Sequence, residues 1–199
     1  MIKRSFDVVL AFVSLLALLP VLLVAYLWVR LDSAGPGFFL QERVGMGGRM
    51  FKIMKLRTMH AHRLGSLLTI ADDGRITGAG HWLRRFRVDE LPQLINVIVG
   101  DMSFVGPRPE VPRYVALYPV DLREKVLSVR PGLTDPATLK YREEAALLAS
   151  YPDPEEAYRR VVLPDKIRMY VEYIDGRSFL GDLRLLSRTI RAVVTFDAR

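Results

Sequence analysis

From Phe6 to Val29 the chain is apolar at nearly every position, and Asp7 is the only charge within the run. No polar stripe recurs at helical spacing, so the run does not read as the core helix of a soluble protein. At a rise of 1.5 Å per residue it is long enough to reach across a hydrocarbon layer about 30 Å thick. Three arrangements have this length: a cleaved leader, a spanning helix, and a helical hairpin that enters and leaves by one face. Met1-Ile2-Lys3-Arg4 gives the basic start of a leader, but no small-residue cleavage site follows, and the run is long for a leader's apolar centre. Pro20 sits mid-run, where it removes a backbone donor and crowds the preceding turn, which predicts a break. Lys3 and Arg4 precede the run, and Arg30, Arg43 and Arg49 follow it. Basic flanks stay on the cytoplasmic side. A hairpin bent at Pro20 satisfies that on both flanks, and a single span does not. Asp7 is then expected to pair with Lys3 or Arg4 at headgroup level. Residues 1–32 thus read as a re-entrant membrane anchor and 33–199 as a cytoplasmic domain.

Beyond the anchor the pattern changes. Ser33-Ala34-Gly35-Pro36-Gly37 is a turn cluster, and two strand-like runs, Phe38–Val44 and Met50–Arg57, flank a glycine-rich turn. They predict a β-hairpin whose polar face carries Lys52, Lys55 and Arg57, either solvated or turned toward phosphate. His81–Phe86 reads as helical and is followed by a break at Arg87-Val88. Pro92 is tolerated only in a first helical turn, so the next helix starts within a residue or two of it. Asp89 is the predicted N-cap and Gly100 the C-terminal cap. Helical segments continue through an acidic stretch from Tyr141 to Arg160, broken at Pro152 and Pro154, and through Lys166–Tyr173. In Phe179–Val194, Leu183, Leu186, Ile190 and Val193 share one stripe, with Arg184, Arg188 and Arg191 outside it. Such a helix lies on an anionic membrane surface or packs on the domain core. The fold class is α/β of the α+β kind and helix-rich: a helix-break-helix anchor, a small hairpin and several helices.

Composition narrows the chemistry. The 29 Lys+Arg exceed the 22 Asp+Glu, giving a net charge of +7, which calls for an anionic partner. Without cysteine, disulfides, thiolate catalysis and Cys-based zinc sites are excluded. His60 and His62 are the only histidines close in sequence, and no third metal ligand accompanies them, so they read as loop residues. No helix-turn-helix, zinc or aromatic-platform signature points to nucleic acid. Two prolines flank Arg108 in Gly106-Pro107-Arg108-Pro109, a stiff backbone that would present one guanidinium in a fixed place. Taken alone, Asp89-Glu90 is the acidic first turn of an ordinary helix.

Taken together, the motifs carry a resemblance. Lys3-Arg4-x-Phe6-Asp7 is followed by the Pro-containing apolar run, then Gln41-x-Arg43-x-Gly45 and Phe51-Lys52-Ile53-x-Lys55-x-Arg57-Thr58-Met59. After Leu83-Arg84-Arg85 come Asp89-Glu90-Leu91-Pro92-Gln93-Leu94-x-Asn96-Val97, Gly100-Asp101-Met102-Ser103-x-Val105-Gly106-Pro107-Arg108-Pro109 and Arg130-Pro131-Gly132. In this order and spacing they resemble the bacterial sugar transferases, the monotopic phosphoglycosyl transferases that begin lipid-linked glycan assembly.

The resemblance implies an enzyme on the cytoplasmic face of the bacterial inner membrane. It implies a UDP-sugar as donor, undecaprenyl phosphate as acceptor, membrane lipids as surroundings, and Mg²⁺ as cofactor. It makes Asp89 the nucleophile that carries the phosphosugar and releases UMP. Glu90 becomes its acidic partner, and both carboxylates become candidate Mg²⁺ ligands. Arg108, with Pro107 and Pro109, is implied to contact phosphate or nucleotide, and Lys55, Arg57 and Arg84 are further candidates. The chain departs from the family pattern after Gly132 and in the acidic segment 142–163, the part expected to vary with the sugar. A non-catalytic module that binds anionic lipid would explain the charge and the anchor, but not the Asp89-Glu90 and Gly106–Pro109 motifs.

Overall fold

The computed structural model describes residues 2–61, 68–71 and 73–195. His62 of the histidine pair therefore lies outside the described residues. Helix α1 (Ile2–Asp32) is followed by an antiparallel hairpin of β1 (Phe38–Val44) and β2 (Met50–Leu56), which pairs Phe38 with Leu56 and Val44 with Met50. Then come α2 (Gly78–Arg85), α3 (Gln93–Val99), β3 (Ser103–Val105), α4 (Pro112–Val115), α5 (Val120–Leu127) and β4 (Gly132–Thr134). β3 and β4 pair in parallel. The chain closes with α6 (Pro136–Lys140), α7 (Glu144–Ala149), α8 (Pro154–Ala157), α9 (Leu163–Gly176) and α10 (Phe179–Val194). Between α8 and α9 lies a π-helical turn, Tyr158–Val162, just ahead of Pro164. Pro164 has no N–H for a regular helical bond, and a wider turn absorbs that loss.

The predicted break at Pro20 does not end α1: the helix continues through it as one 31-residue element. One proline costs about 3 kcal/mol and one hydrogen bond, which a helix of this length can carry. By length and composition α1 can cross a membrane, with mean hydropathy 3.0 in its most apolar window. Phe12, Val13, Leu16, Val24 and Leu27 are exposed, whereas Ala11, Ala25 and Val29 are buried. Both ends of α1 are tied to the same body. Near its start, Arg4 donates to the Val97 and Ile98 carbonyls at 2.6 and 2.9 Å, and Lys3 pairs with Asp182. Asp7 does not pair with Lys3 or Arg4 as expected. It is buried and accepts from Ser103 Oγ at 2.7 Å, because those cations are drawn to α3 and α10. At the far end, Asp32 accepts from the Ala79 N–H at 3.1 Å, at the start of α2.

Arg57 holds that end too, and this corrects its reading as a phosphate ligand. It is 4% exposed. Its guanidinium donates to Pro36 O at 2.6 Å, Ser33 Oγ at 2.7 Å and Ser33 O at 2.8 Å. Arg57→Ala would strand these acceptors, and bonds to a charged donor are worth about 1.5–3 kcal/mol each. We expect a loss of about 3 kcal/mol, read as a lower Tm in detergent, with the KM for donor unchanged in the folded fraction.

α10 packs one side on the core through Leu185 and Leu186, while Phe179, Leu180 and Ile190 are exposed. One apolar core joins α1, β2, α3 and β3 through Ala11, Ile53, Leu94, Val97 and Phe104. A second joins α4, α5, α6 and α9 through Tyr114, Val126, Ala137, Ile167 and Tyr170. A deep cavity opens beside that second core.

Candidate active site

The turn that carries Asp89 and Glu90 is short. Arg87 adopts left-handed backbone angles (φ 54°), the only non-glycine residue to do so among those described, and a single 3-10 turn, Val88–Glu90, follows. α3 begins only at Gln93, after Pro92. Asp89 is thus not the N-cap predicted for this helix. An N-cap carboxylate accepts from the N–H two or three residues on, and at the third position Pro92 has none. Gly100 ends α3 with φ 103°, as its predicted capping role requires.

Asp89 and Glu90 both line a cavity of about 460 Å³, but their surroundings differ. Glu90 is held by cations on both oxygens. Lys55 Nζ lies 3.3 Å from Oε1, Arg108 also bonds Oε1, and Arg87 Nη1 lies 3.3 Å from Oε2. Burial acts to raise its pKa, but Arg108, Lys55 and Arg87 outweigh it and hold the carboxyl well below the usual range. The same pairing pushes the Arg108 pKa up. Asp89 is 7% exposed, and no hydrogen bond or ion pair from the described residues reaches its carboxylate. Burial, then repulsion by Glu90, pushes its pKa up to about 6 against the pull of Lys55, Arg84 and Arg87. Adjacent carboxylates thus diverge, one locked as an anion and one poised near neutrality.

Lys55 extends from β2 into the cavity, and burial lowers its pKa. Lys52, three residues earlier on the strand, points to the other face, so the predicted shared basic face is split. Arg84 lines the cavity from α2, with Nη1 3.5 Å from Thr58 Oγ1. Arg108 is placed by backbone packing. A Cβ on Gly106 would lie 2.3 Å from Arg130 O, and one on Gly132 2.2 Å from Gly106 N, so no larger residue fits where these segments cross. Pro107 and Pro109 do not face the large cavity. Pro107 O accepts from Gly132 N, and Pro109 O from Arg43, each at 2.9 Å. Their contribution is rigidity on either side of Arg108.

Sequence reasoning missed the far wall. Tyr141, Tyr158, Lys166 and Tyr170 line it, with Thr138 and Glu144. Lys166 pairs with Glu144 at 2.5 Å and stands 5.0 Å from the Tyr158 ring centre. Arg43, in the sequence a flanking charge and part of a motif, also lines the cavity, 3.6 Å from Glu110. In all, eight basic and four acidic side chains line it, an environment suited to a polyanion such as a nucleoside diphosphate.

As a joint Mg²⁺ site, Asp89 and Glu90 do not fit. Both Glu90 oxygens already face cations, and no group of three acidic or His ligands exists among the described residues. Asp89 alone remains as a carboxylate ligand. That suffices where substrate phosphates complete the shell, as is common for Mg²⁺.

The family model for bacterial sugar transferases matches residues 1–196. The chain is 38% identical over 199 residues to the UDP-glucose:undecaprenyl-phosphate glucose-1-phosphate transferase of Caulobacter vibrioides, covering 98% of this chain and 70% of that protein. The undecaprenyl-phosphate glucose phosphotransferase of Komagataeibacter xylinus is 36% identical, over 95% of this chain and 35% of that protein. The UDP-N-acetylgalactosamine-undecaprenyl-phosphate N-acetylgalactosaminephosphotransferase of Aeromonas hydrophila is 34% identical, over 100% of this chain and 45% of its own length.

Proposed function

The chain belongs to the bacterial sugar transferase family, and we propose that it moves a sugar 1-phosphate from a UDP-sugar to undecaprenyl phosphate through a covalent intermediate on Asp89. The observation that carries this reading is the unpaired, buried Asp89 carboxylate facing a cavity lined by eight basic side chains. Asp89 attacks the phosphorus that bears the sugar. The bond from that phosphorus to the UMP oxygen breaks, and UMP leaves with the electron pair. An oxygen of the lipid phosphate then attacks the same phosphorus and releases the Asp89 carboxylate. Arg84, Arg87 and Arg108 offset the charge of an anion approaching an anion. Mg²⁺, held by Asp89 and the donor's phosphates, would supply further neutralisation. Glu90 acts by orientation: it fixes Lys55, Arg87 and Arg108 around the reacting phosphate.

The test is UMP release. Detergent-solubilised protein with Mg²⁺ and undecaprenyl phosphate is given a panel of UDP-sugars that includes UDP-glucose and UDP-N-acetylgalactosamine, since relatives named for each match this chain. UMP release from none of them would favour a lipid-binding module. The anchor reading places α1 in one leaflet, with the remaining chain on the cytoplasmic face of the inner membrane. The chain has no cysteine, so Ile2→Cys and Ala34→Cys can be labelled without background. Both are expected to react from the cytoplasmic side only, and labelling from opposite sides would rule out an anchor held in one leaflet.

A further inference from the structure

Four tyrosines line the cavity, and three of their hydroxyls are bonded to carboxylates. Tyr114 donates to Glu155 at 3.1 Å, Tyr141 to Asp165 at 2.8 Å and Tyr158 to Glu110 at 2.6 Å. The fourth, Tyr170, is 0% exposed, and its hydroxyl has no partner among the described residues. Its neighbours are spoken for. Asp135 accepts from the Thr138 N–H at 2.9 Å and from Thr138 Oγ1 at 2.7 Å. Glu110 is taken by Tyr158 and Arg43, and Arg108 by Glu90. A second orphan belongs to another residue that lines the cavity. Arg43 Nε has no acceptor, while its Nη atoms donate to Pro109 O at 2.9 Å and Gln41 Oε1 at 2.7 Å. Arg43 and Tyr170 both lie within electrostatic reach of Arg108 and Glu110. Two buried donors without acceptors, both on residues that line the cavity, are unfavourable in the empty protein, and a ligand acceptor would relieve them.

We propose that the Tyr170 hydroxyl forms a subsite that hydrogen-bonds an oxygen of the nucleotide-sugar donor. This rests on the transferase reading above. That oxygen belongs either to the sugar or to the nucleotide half, and both offer hydroxyl or carbonyl acceptors. Tyr170 is a substrate-binding residue here and touches no bond that is made or broken.

Tyr170→Phe separates this role from a structural one. A hydroxyl that bonds only substrate leaves a gap in binding and none in the fold. With whichever UDP-sugar the wild type turns over, KM is expected to rise about three- to tenfold, the worth of one neutral hydrogen bond, with kcat nearly unchanged. Tm is expected to stay level or rise, because an unsatisfied buried hydroxyl has been removed. UMP is then titrated as a product inhibitor. Inhibition weakened in parallel assigns the oxygen to the nucleotide half, and unchanged inhibition assigns it to the sugar half. An unchanged KM, or a Tm lowered by several degrees, would overturn the subsite while leaving the transferase reading intact. No UMP release by the wild type would remove both.

Discussion

Asp89→Asn is expected to reduce turnover with lipid acceptor by about 10⁴-fold or more, the scale on which loss of a covalent nucleophile is felt. Asn has the same shape but no anionic oxygen with which to attack phosphorus. The substitution should not harm the fold. Asp89 has no hydrogen-bond partner to lose, and Asn also removes its repulsion with Glu90. The sign of the pH effect follows from the raised pKa. A carboxyl with an unfolded value of about 3.9 and a folded value of about 6 binds its proton more tightly in the folded protein. Its contribution to stability is therefore full below pH about 4 and is lost as pH rises through about 6. At pH 8 the Asn variant should match or exceed the wild type in Tm. The same pKa places the acidic limb of wild-type kcat/KM near pH 6, falling about tenfold per unit below it as Asp89 takes up its proton. UMP release and Tm, measured on both proteins across this range, decide. Full turnover by the Asn variant would end the covalent mechanism.

Features set by neighbouring residues were legible in the sequence. The hairpin strands, the break at Arg87, the glycine that ends α3 and the bounds of α10 follow from periodicity and turn chemistry within a few positions. Features made by distant segments were not. Arg57 reads as one more basic residue of a strand, yet its acceptors lie on Ser33 and Pro36, on the far side of the hairpin. The β3–β4 pair was hidden because each strand is three residues long, and nothing local links Gly106 with Gly132, which cross tightly in the fold. The tyrosine wall was missed for the same reason, since Tyr141, Tyr158 and Tyr170 meet only once α6 to α9 have packed. Local expectations failed too: the break at Pro20, which a 31-residue helix absorbs, the pairing of Asp7 with Lys3 or Arg4, and Asp89 as an N-cap, where Pro92 lacks the N–H three residues on.

Arg108→Ala is the second large effect, and it strikes fold and chemistry together. Arg108 bonds Glu90, a half-buried carboxylate, so removing it leaves a largely enclosed anion with fewer cations. Breaking a buried pair on one side costs about 3–5 kcal/mol, and the remaining contacts from Lys55 and Arg87 keep this case at the lower end. The loss should depend on pH. The pKa of Glu90 is depressed in the folded protein, so its stabilising contribution is present above the unfolded value of about 4.3 and fades as pH falls through the folded value. Without Arg108 that depression shrinks, so the Tm gap between wild type and variant should be wide at pH 7 and close as pH falls below about 4. In activity, losing one preorganised charge beside a developing phosphoryl anion costs about 10²–10³-fold in kcat/KM. Arg108→Lys should recover part of the stability and little of the rate, because a point charge lacks the planar fork. The decisive comparison adds Glu90→Gln to Arg108→Ala. If Arg108 serves only to neutralise Glu90, the double variant matches Glu90→Gln alone in both Tm and turnover. If Arg108 also meets the donor's phosphate, the two match in Tm and the double variant turns over more slowly.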